Sequence, residues 1–467
     1  MLPFLPRQIA NKGIVLYLVA LTAVSLFFMR YAMSWEFIVM GIVWVLGFFL
    51  LSNYCGRKWK ALPRKRLLRN LFFTAFGLRI AWVVFSFFYY TAKTGVPFEF
   101  AAADSMGYWE DAVWLSGQKW AGIKQYLFTS RQTVSDSGYP LYLAFLYKII
   151  GPDILITRIV KAAISAATVL LIYRLAQRSI GEDGARTAAI FACFMPNLIF
   201  YCGLHLKETE MLFLMVAFLE RADYLLRSRH YNVFTIAVPA LLAISLFFFR
   251  TVLGVAAVFA FATAILFSNS PTLGKGKRAL LIGWGVLAVL TLSGGTILNE
   301  AKDTWESRDE NQSMKREEQT LRGNQWAKYA TGTVMAPMMF VLPFPTMVDT
   351  DEQYNQQMIH GGNYVRNFLG IFVLIAIYIA IFVNKNWRDL SLIGAFDIAY
   401  LGIVSASGFA NAERFLLPGL PVLLIMAAYG LTQLNSKSYH YVKLWYWIVP
   451  VMAFAWAFFK LGSRGLF

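Results

Sequence analysis

The sequence predicts an all-α, polytopic transmembrane bundle of about thirteen helical spans with external loops. Hydrophobic residues make up 58% of the chain and charged residues only 15%, with a mean hydropathy of +0.53. A soluble domain carries about a quarter charged residues. Apolar runs of about 18 or more residues recur, and each is long enough to cross a bilayer as a helix. Helices are expected because backbone groups in lipid must bond within their own segment.

The predicted spans follow the apolar runs in chain order. No small-residue cleavage site follows the first apolar run, so we expect that run to remain as a helix. The weak alternating pattern of a transmembrane barrel is not found. The spans are expected at residues 14–33, 35–53, 70–90, 153–175, 186–203, 209–227, 233–249, 252–268, 278–297, 367–384, 390–408, 415–432 and 443–461.

The short connections between spans are basic and alternate with polar ones. The connection RKWKALPRKRLLR, 57–69, has seven basic residues and no acidic one. Four more basic connections fall on the same side: 227–230, 275–278, 384–388 and 437–443. By the positive-inside rule that side is the cytoplasm. The net charge of +17 therefore reflects topology and attraction to membrane lipids, and nucleic acid is not an expected partner.

Two long connections are predicted to face outwards, at 91–152 and 298–366. These two loops divide the chain into four expected regions. Residues 1–69 form two N-terminal helices with a basic cytoplasmic loop, and residues 70–297 form a core that contains the first external loop. Residues 298–366 form the second external loop, and residues 367–467 form the C-terminal helices.

The first external loop contains FEFAAADSMGYWEDA, which carries four carboxylates: Glu99, Asp104, Glu110 and Asp111. If 104–111 is helical, the spacing places Asp104, Tyr108 and Asp111 on one face. A more ordinary interpretation makes Asp104 a helix N-cap. Glu99 and Glu110 are expected to be solvated loop charges.

The segment SDSGYPLYLAFLYKIIG, 135–151, has apolar residues on a helical period but is too short to span a membrane. We expect an amphipathic helix lying at the interface, with Pro140 in its first turn. A core helix packed under the external loop is the alternative.

Ionisable side chains also gather where spans are expected to end on the outer side. GLHLKETEMLF places His205, Lys207 and Glu208 between two spans, although a hairpin turn alone needs some polar residues. Charges at the membrane edge are costly and are functional candidates.

Arg250 follows SLFFF and requires a partner or an anion, whereas Arg414 has an external salt bridge with Glu413 as its ordinary explanation. Arginine suits phosphate oxygens, so both are predicted to bind an anion.

The three cysteines, Cys55, Cys193 and Cys202, show neither a disulfide framework nor a metal-ligand spacing. Cys193 and Cys202 lie nine residues apart in one apolar run, where a helix would place them on opposite faces.

The order of these motifs is similar to that of the GT-C superfold of membrane glycosyltransferases, in particular the branch with protein O-mannosyltransferases and the lipid A aminoarabinose transferase. DSMGYWEDA resembles the family's Asp-x-x-x-Tyr signature, and GYPLYLAFLYKIIG with the run to LHLKE resembles its interfacial helix, two spans and outward Glu. FFFRTVLG and ERFLLPGLPVLLIMAAYG resemble its basic residue on a middle span and its late Arg-led span. The likeness covers 98–254 and 411–430.

This resemblance implies a polyprenyl-phosphate sugar donor and a glycan, lipid or protein acceptor. Asp104 would be the catalytic base, and the transfer would invert the anomeric carbon. Composition favours a bacterial inner membrane, with the site facing the periplasm. The residues expected to bind substrate are Tyr108, Asp111, Tyr139, His205, Lys207, Glu208, Arg250 and Arg414.

Two departures from the family pattern affect the expectations. Many relatives have a second acid next to the catalytic Asp, but Ser105 follows Asp104 here, which leaves a metal site, and with it a divalent cation, undecided. Two spans precede the one that leads into the catalytic loop, and they are expected to have no catalytic role.

Three other functions fit parts of the sequence. A transporter or lipid flippase would show internal repeats and several charges at mid-membrane, for which Arg79, Lys161 and Asp397 are candidates. An O-antigen ligase or polymerase would use a large external loop and arginines but lacks the early Asp motif. A non-catalytic assembly partner is the third.

Overall fold

The computed structural model describes residues 4–127, 135–228, 232–267, 278–279, 282–283, 285–286, 344–349, 354–406, 413–462 and 465–466. This part of the chain is helical, apart from one isolated β-bridge between Ala32 and Val348. The predicted all-α class is therefore confirmed. Most of the predicted external loop 298–366 and of the span 278–297 lies outside the described residues.

The α-helices follow one another closely along the chain. They are α1 Arg7–Phe27, α2 Trp35–Trp59, α3 Arg64–Thr94, α4 Ala103–Ser116, α5 Trp120–Gln125, α6 Gly138–Ile150, α7 Ile154–Phe194, α8 Pro196–Phe200, α9 Glu208–Arg227, α10 Val233–Phe249, α11 Thr251–Phe267, α12 Tyr354–Met358, α13 His360–Tyr378, α14 Ser391–Ala406, α15 Glu413–Leu416, α16 Leu420–Thr432 and α17 Ser436–Gly462.

Seven helical segments in the described part of the chain are long and apolar enough to cross a membrane. Three shorter apolar helices, of 10–17 residues, accompany them. The protein is thus consistent with an integral, multi-pass membrane protein, and the count of about thirteen spans stays a prediction.

Helix α7 covers the predicted span 153–175 and only the first part of the predicted span 186–203, and the chain reverses inside it. Gly181 interrupts the helix with φ 83°, a conformation that favours glycine. Arg79 on α3 contacts both Ser165 and Ala192, which would lie about 40 Å apart in one straight helix. The segments before and after Gly181 therefore lie side by side against α3.

Arg79 supports a helix end in the core. Its guanidinium is fully buried and donates to the carbonyls of Ala192 and Cys193, where α7 ends, and to Ser165 Oγ at 2.7 Å. The last carbonyls of a helix lack intrahelical partners, so a buried arginine compensates for them. Pro196 then begins α8, which means that Cys193 and Cys202 do not share one helix as predicted.

The two N-terminal helices pack against the segment 354–361. Trp44 Nε1 on α2 donates to the carbonyl of Met358 at 3.1 Å, and Tyr17 on α1 shares a 2.9 Å hydrogen bond with His360. A Cβ on Gly361 would lie 2.6 Å from the Gly41 carbonyl oxygen. Helices α2 and α13 therefore approach each other closely only because residue 361 is a glycine. The N-terminal helices thereby position α12 and the start of α13.

Described residues of three basic connections, those that begin at residues 57, 227 and 384, lie at one end of the bundle, called the basic end. Arg186 donates to the carbonyls of Trp59, Lys60 and Leu62 in the connection 57–69. Arg227 donates to the carbonyl of Asp389, which joins two other basic connections. The charge pattern used to orient the spans therefore agrees with the packing.

Candidate active site

Asp104 forms an ion pair with Arg414 at the other end of the bundle, called the site end. Helix α4 begins at Ala103 with Ala102 as its N-cap, so Asp104 lies inside the first turn. The interpretation of Asp104 as the N-cap is therefore wrong. Its charge is still favourably placed near a helix N-terminus, but its partner comes from α15.

The salt bridge considered for Arg414 with Glu413 is also wrong, because Glu413 has other partners. Its carboxylate accepts from Asn197 Nδ2 at 2.6 Å and from the hydroxyl of Tyr201. Arg366 on α13 lies 3.4 Å from the same carboxylate. These contacts anchor the start of α15, and the adjacent Arg414 reaches Asp104 instead.

Arg250 and Arg414 lie over the same aromatic ring, that of Phe415. Their guanidinium carbons are 4.6 Å and 5.1 Å from its centroid, within cation–π range. Arg250 also faces Glu208 at 3.8 Å, which is too long for a hydrogen bond, and donates to Tyr400 at 3.3 Å. Arg250 is thus not the lone charge that the sequence indicated, yet both predicted anion-binding arginines converge.

Lys207 is buried and already bonded. Its ammonium pairs with Asp136 and donates to the carbonyl of Phe249 at 3.0 Å. Burial, and then the charge of Arg250, lower the pKa of Lys207 well below its usual range. Lys207 thus holds the loop before α6 against the end of α10, and its predicted role in substrate binding is untested.

His205 and Tyr139 are core residues. His205 shares a 3.1 Å hydrogen bond with Tyr147 of α6, and burial lowers the pKa of its imidazole well below 6.5. The Tyr139 hydroxyl accepts from Lys161 at 3.1 Å. Both residues hold α6 on the bundle, so the alternative of a packed helix holds for that face of α6. Its opposite face exposes Phe145, as an interfacial helix would.

The predicted helical face of Asp104, Tyr108 and Asp111 is only partly assembled at the site. Tyr108 packs against Tyr139, with ring centroids 5.2 Å apart, and burial, followed by the charges of Glu208 and Asp104, raises its pKa. Asp111 instead accepts from Tyr126 at 2.9 Å, beyond α5. It is not among the residues that line the cavity described next.

A cavity of about 210 Å³ lies beside the Asp104–Arg414 pair. Its lining includes Glu99, Tyr201, Asn355 and Glu413 as well as that pair. The segment 354–359, positioned by the N-terminal helices, forms one wall. Two spans expected to have no catalytic role therefore contribute to the shape of this site.

Glu99 was predicted to be a solvated loop charge, and this prediction is wrong. Its side chain is only 4% exposed and accepts from the hydroxyl of Ser105 on α4. Phe98 is buried and Phe100 packs on the core, so the loop draws Glu99 inwards between them. Aromatic neighbours on both sides were the signal that could have identified it. Glu110 is exposed, as predicted.

The chemistry available at the site comes from carboxylates, arginines and amides. Among the described residues, no group of three or more His, Cys, Asp or Glu side chains could hold a metal ion. The helical fold and its long apolar helices are consistent with an integral, multi-pass membrane protein. No family model, curated protein or solved structure matches the chain.

Proposed function

We propose that this protein is a membrane glycosyltransferase of the GT-C type, which moves a sugar from a polyprenyl phosphate to an acceptor hydroxyl. The observation that carries the proposal is the Asp104–Arg414 ion pair at the edge of a cavity, with Arg250 over the same Phe415 ring as Arg414. Sugar transfer from a lipid phosphate needs a base and phosphate-binding cations at the same site. We assign the site to the periplasmic face of a bacterial inner membrane and the architecture to about thirteen spans.

Asp104 is the general base. It accepts the proton of the acceptor hydroxyl while that oxygen bonds to the anomeric carbon. The bond from this carbon to the phosphate oxygen breaks with inversion, and the polyprenyl phosphate leaves with the electron pair. A carboxylate is a weak base for a hydroxyl, so proton transfer is concerted with departure of a stabilised phosphate.

Arg414 and Arg250 stabilise the leaving phosphate. The Asp104 carboxylate is 50% exposed and the Arg414 side chain 36%, and exposed ion pairs are worth only about 0–1 kcal/mol. A phosphate can therefore replace Asp104 as the partner of Arg414. The exchange frees the base at the moment when the donor is bound.

Two of the three mid-membrane charges that favoured a transporter have partners within the protein. Arg79 bonds to carbonyls at a helix end, and Lys161 bonds to Tyr139, to the carbonyl of Leu204 at 3.0 Å, and to Glu210 across 3.5 Å. Both charges therefore have structural partners. Asp397 on α14 is buried and its Oδ1 has no hydrogen-bond partner among the described residues, which alone supports a mid-membrane role.

The proposal is tested by incubating purified protein with polyprenyl-phosphate sugars and measuring release of the lipid phosphate. We expect turnover that depends on an acceptor. If no donor from a panel of sugars is consumed, while a lipid or glycan is moved across proteoliposomes, the protein is a transporter and the proposal fails.

A further inference from the structure

Two hydrogen-bond acceptors at the cavity have no partner. Glu99 Oε2 and Asn355 Oδ1 are buried oxygens, and neither has a hydrogen-bond donor among the described residues. Both side chains belong to the cavity lining. A buried polar atom without a partner costs about 1–3 kcal/mol, so two such atoms on one cavity indicate that a ligand supplies the donors.

Both oxygens are held in place by the other atoms of their own side chains. The second oxygen of Glu99, Oε1, accepts from Ser105 on α4. Asn355 Nδ2 donates to the carbonyl of Phe100 at 2.7 Å, next to Glu99 in the chain. The orientation of the amide follows from this bond, because its nitrogen must face the carbonyl. The two acceptor oxygens are therefore held in fixed positions, and the Asn355–Phe100 hydrogen bond joins the segment of Asn355 to the segment of Glu99.

The acceptor atoms of the lining disfavour an anion. Asp104 and Glu413 are already paired, with Arg414 and Arg366, and the oxygens left without a donor belong to Glu99 and Asn355. A phosphate beside them would meet a carboxylate and an amide oxygen, and like charges at close range are unfavourable. Hydroxyl and ammonium groups, in contrast, donate to both of these oxygens.

We infer that the cavity holds the sugar end of the substrate, with Glu99 and Asn355 as specificity-determining residues that accept from its hydroxyl or ammonium groups. The phosphate lies outside, at Arg250 and Arg414. The volume of about 210 Å³ is below the roughly 300–1,000 Å³ of sites for drug-sized ligands, so one ring fits better than an oligosaccharide. This inference rests on the proposed function for naming the ligand a sugar.

The test measures binding without turnover. Full-length protein in detergent is heated with glucose, glucosamine or inorganic phosphate, and apparent affinities are taken from the shift in the unfolding midpoint. We expect glucose or glucosamine to stabilise the protein at millimolar concentrations. Asn355→Ala should weaken both sugars about tenfold, the loss of one hydrogen bond.

Glu99→Gln distinguishes the two donor groups. It keeps an acceptor oxygen but removes the charge, so glucosamine should lose at least about tenfold in affinity and glucose less, since bonds to charged groups are stronger. Glu110→Gln, on an exposed side chain of the same segment, is the matched control and should bind as the wild type does.

Three outcomes overturn the inference: neither sugar stabilises the wild type, phosphate stabilises it through Glu99, or both variants bind both sugars unchanged. Should one variant fail to fold, the response of the wild type to sugar and the response of the other variant still decide. Sugar binding without transfer would contradict the proposed function alone, and transfer without a contribution from Glu99 or Asn355 would contradict this inference alone.

Discussion

Asp104 and Arg414 form an ion pair although 310 residues separate them in the sequence. One belongs to a helix within the predicted first external loop, and the other belongs to the short helix before a late span. Their pairing makes a single site from two motifs that lie far apart in the sequence. The roles proposed for the two residues, base and phosphate ligand, can therefore be tested by replacing one residue of the pair at a time.

Replacing Asp104 with Asn should slow sugar transfer at least about a hundredfold, because general-base catalysis is worth about 10²–10⁴-fold. The amide keeps the shape but cannot take the proton. Donor binding should be at least as tight, because the phosphate no longer competes with a carboxylate for Arg414. Single-turnover rates and donor titration measure the two effects. Glu110→Gln should remain fully active, and an active Asp104→Asn would end its assignment as the base.

Replacing Arg250 or Arg414 with Ala should weaken donor binding by about 1.5–3 kcal/mol, the scale of a hydrogen bond to a charged group. Both guanidinium groups lie over the ring of Phe415, where we expect one phosphate to meet both of them. Donor affinity can be followed by quenching of tryptophan fluorescence. Lys124→Ala removes an exposed charge on α5 and serves as the control. Unchanged affinity in folded arginine variants would leave these residues with a structural role only.

Stability should fall on acidification partly because of His205. Burial depresses the pKa of this imidazole in the folded state below about 6.5, the usual value that it regains on unfolding. Below that pH the unfolded state binds the proton and the folded state does not, so the free energy of unfolding decreases as pH falls. The contribution approaches about 1.4 kcal/mol per pH unit in this window. Stability at neutral pH is unaffected by it.

Unfolding midpoints at neutral pH and near pH 5.5 measure this effect in wild type and His205→Gln. Glutamine can keep a hydrogen bond to Tyr147 but does not titrate. The variant should therefore show a smaller loss on acidification. An equal loss in both proteins would show that His205 is protonated in the folded state as readily as in the unfolded state.

Trp44→Phe should weaken binding at the cavity although Trp44 does not line it. The indole N–H holds the carbonyl of Met358, and the segment 354–359 forms a cavity wall. Losing one such bond costs about 0.5–1.5 kcal/mol, so we expect a raised KM with a nearly unchanged kcat. Trp35→Phe, on a largely exposed side chain of the same helix, is the control. A fall in kcat alone would contradict a positioning role.

Labelling tests the predicted topology. A cysteine at Ser116, at the end of α4, should react with an impermeant reagent from outside. One at Ser436, on a predicted cytoplasmic connection, should react only after the membrane is opened. The native cysteines are buried and should add little background. The reverse pattern would overturn the orientation. A matching position at Ser313 lies outside the described residues.

Features that depend on neighbours along the chain can be predicted from the amino-acid sequence alone. Helical class, the position of α6 with Pro140 in its first turn, and the placement of Tyr108 one helical turn after Asp104 follow from local periodicity and composition. These properties are short-range, so a window of some twenty residues contains the information.

The pairing of charged side chains, in contrast, depends on the three-dimensional fold. Arg414 pairs with Asp104 and not with the adjacent Glu413, and Glu99 is buried because its two aromatic neighbours pack on the core. Asn355 reaches the cavity because two N-terminal helices hold its segment. Such contacts depend on how helices that are far apart in sequence pack against each other. Helical periodicity predicts on which side of its own helix a residue lies, but not which other helix packs against that side.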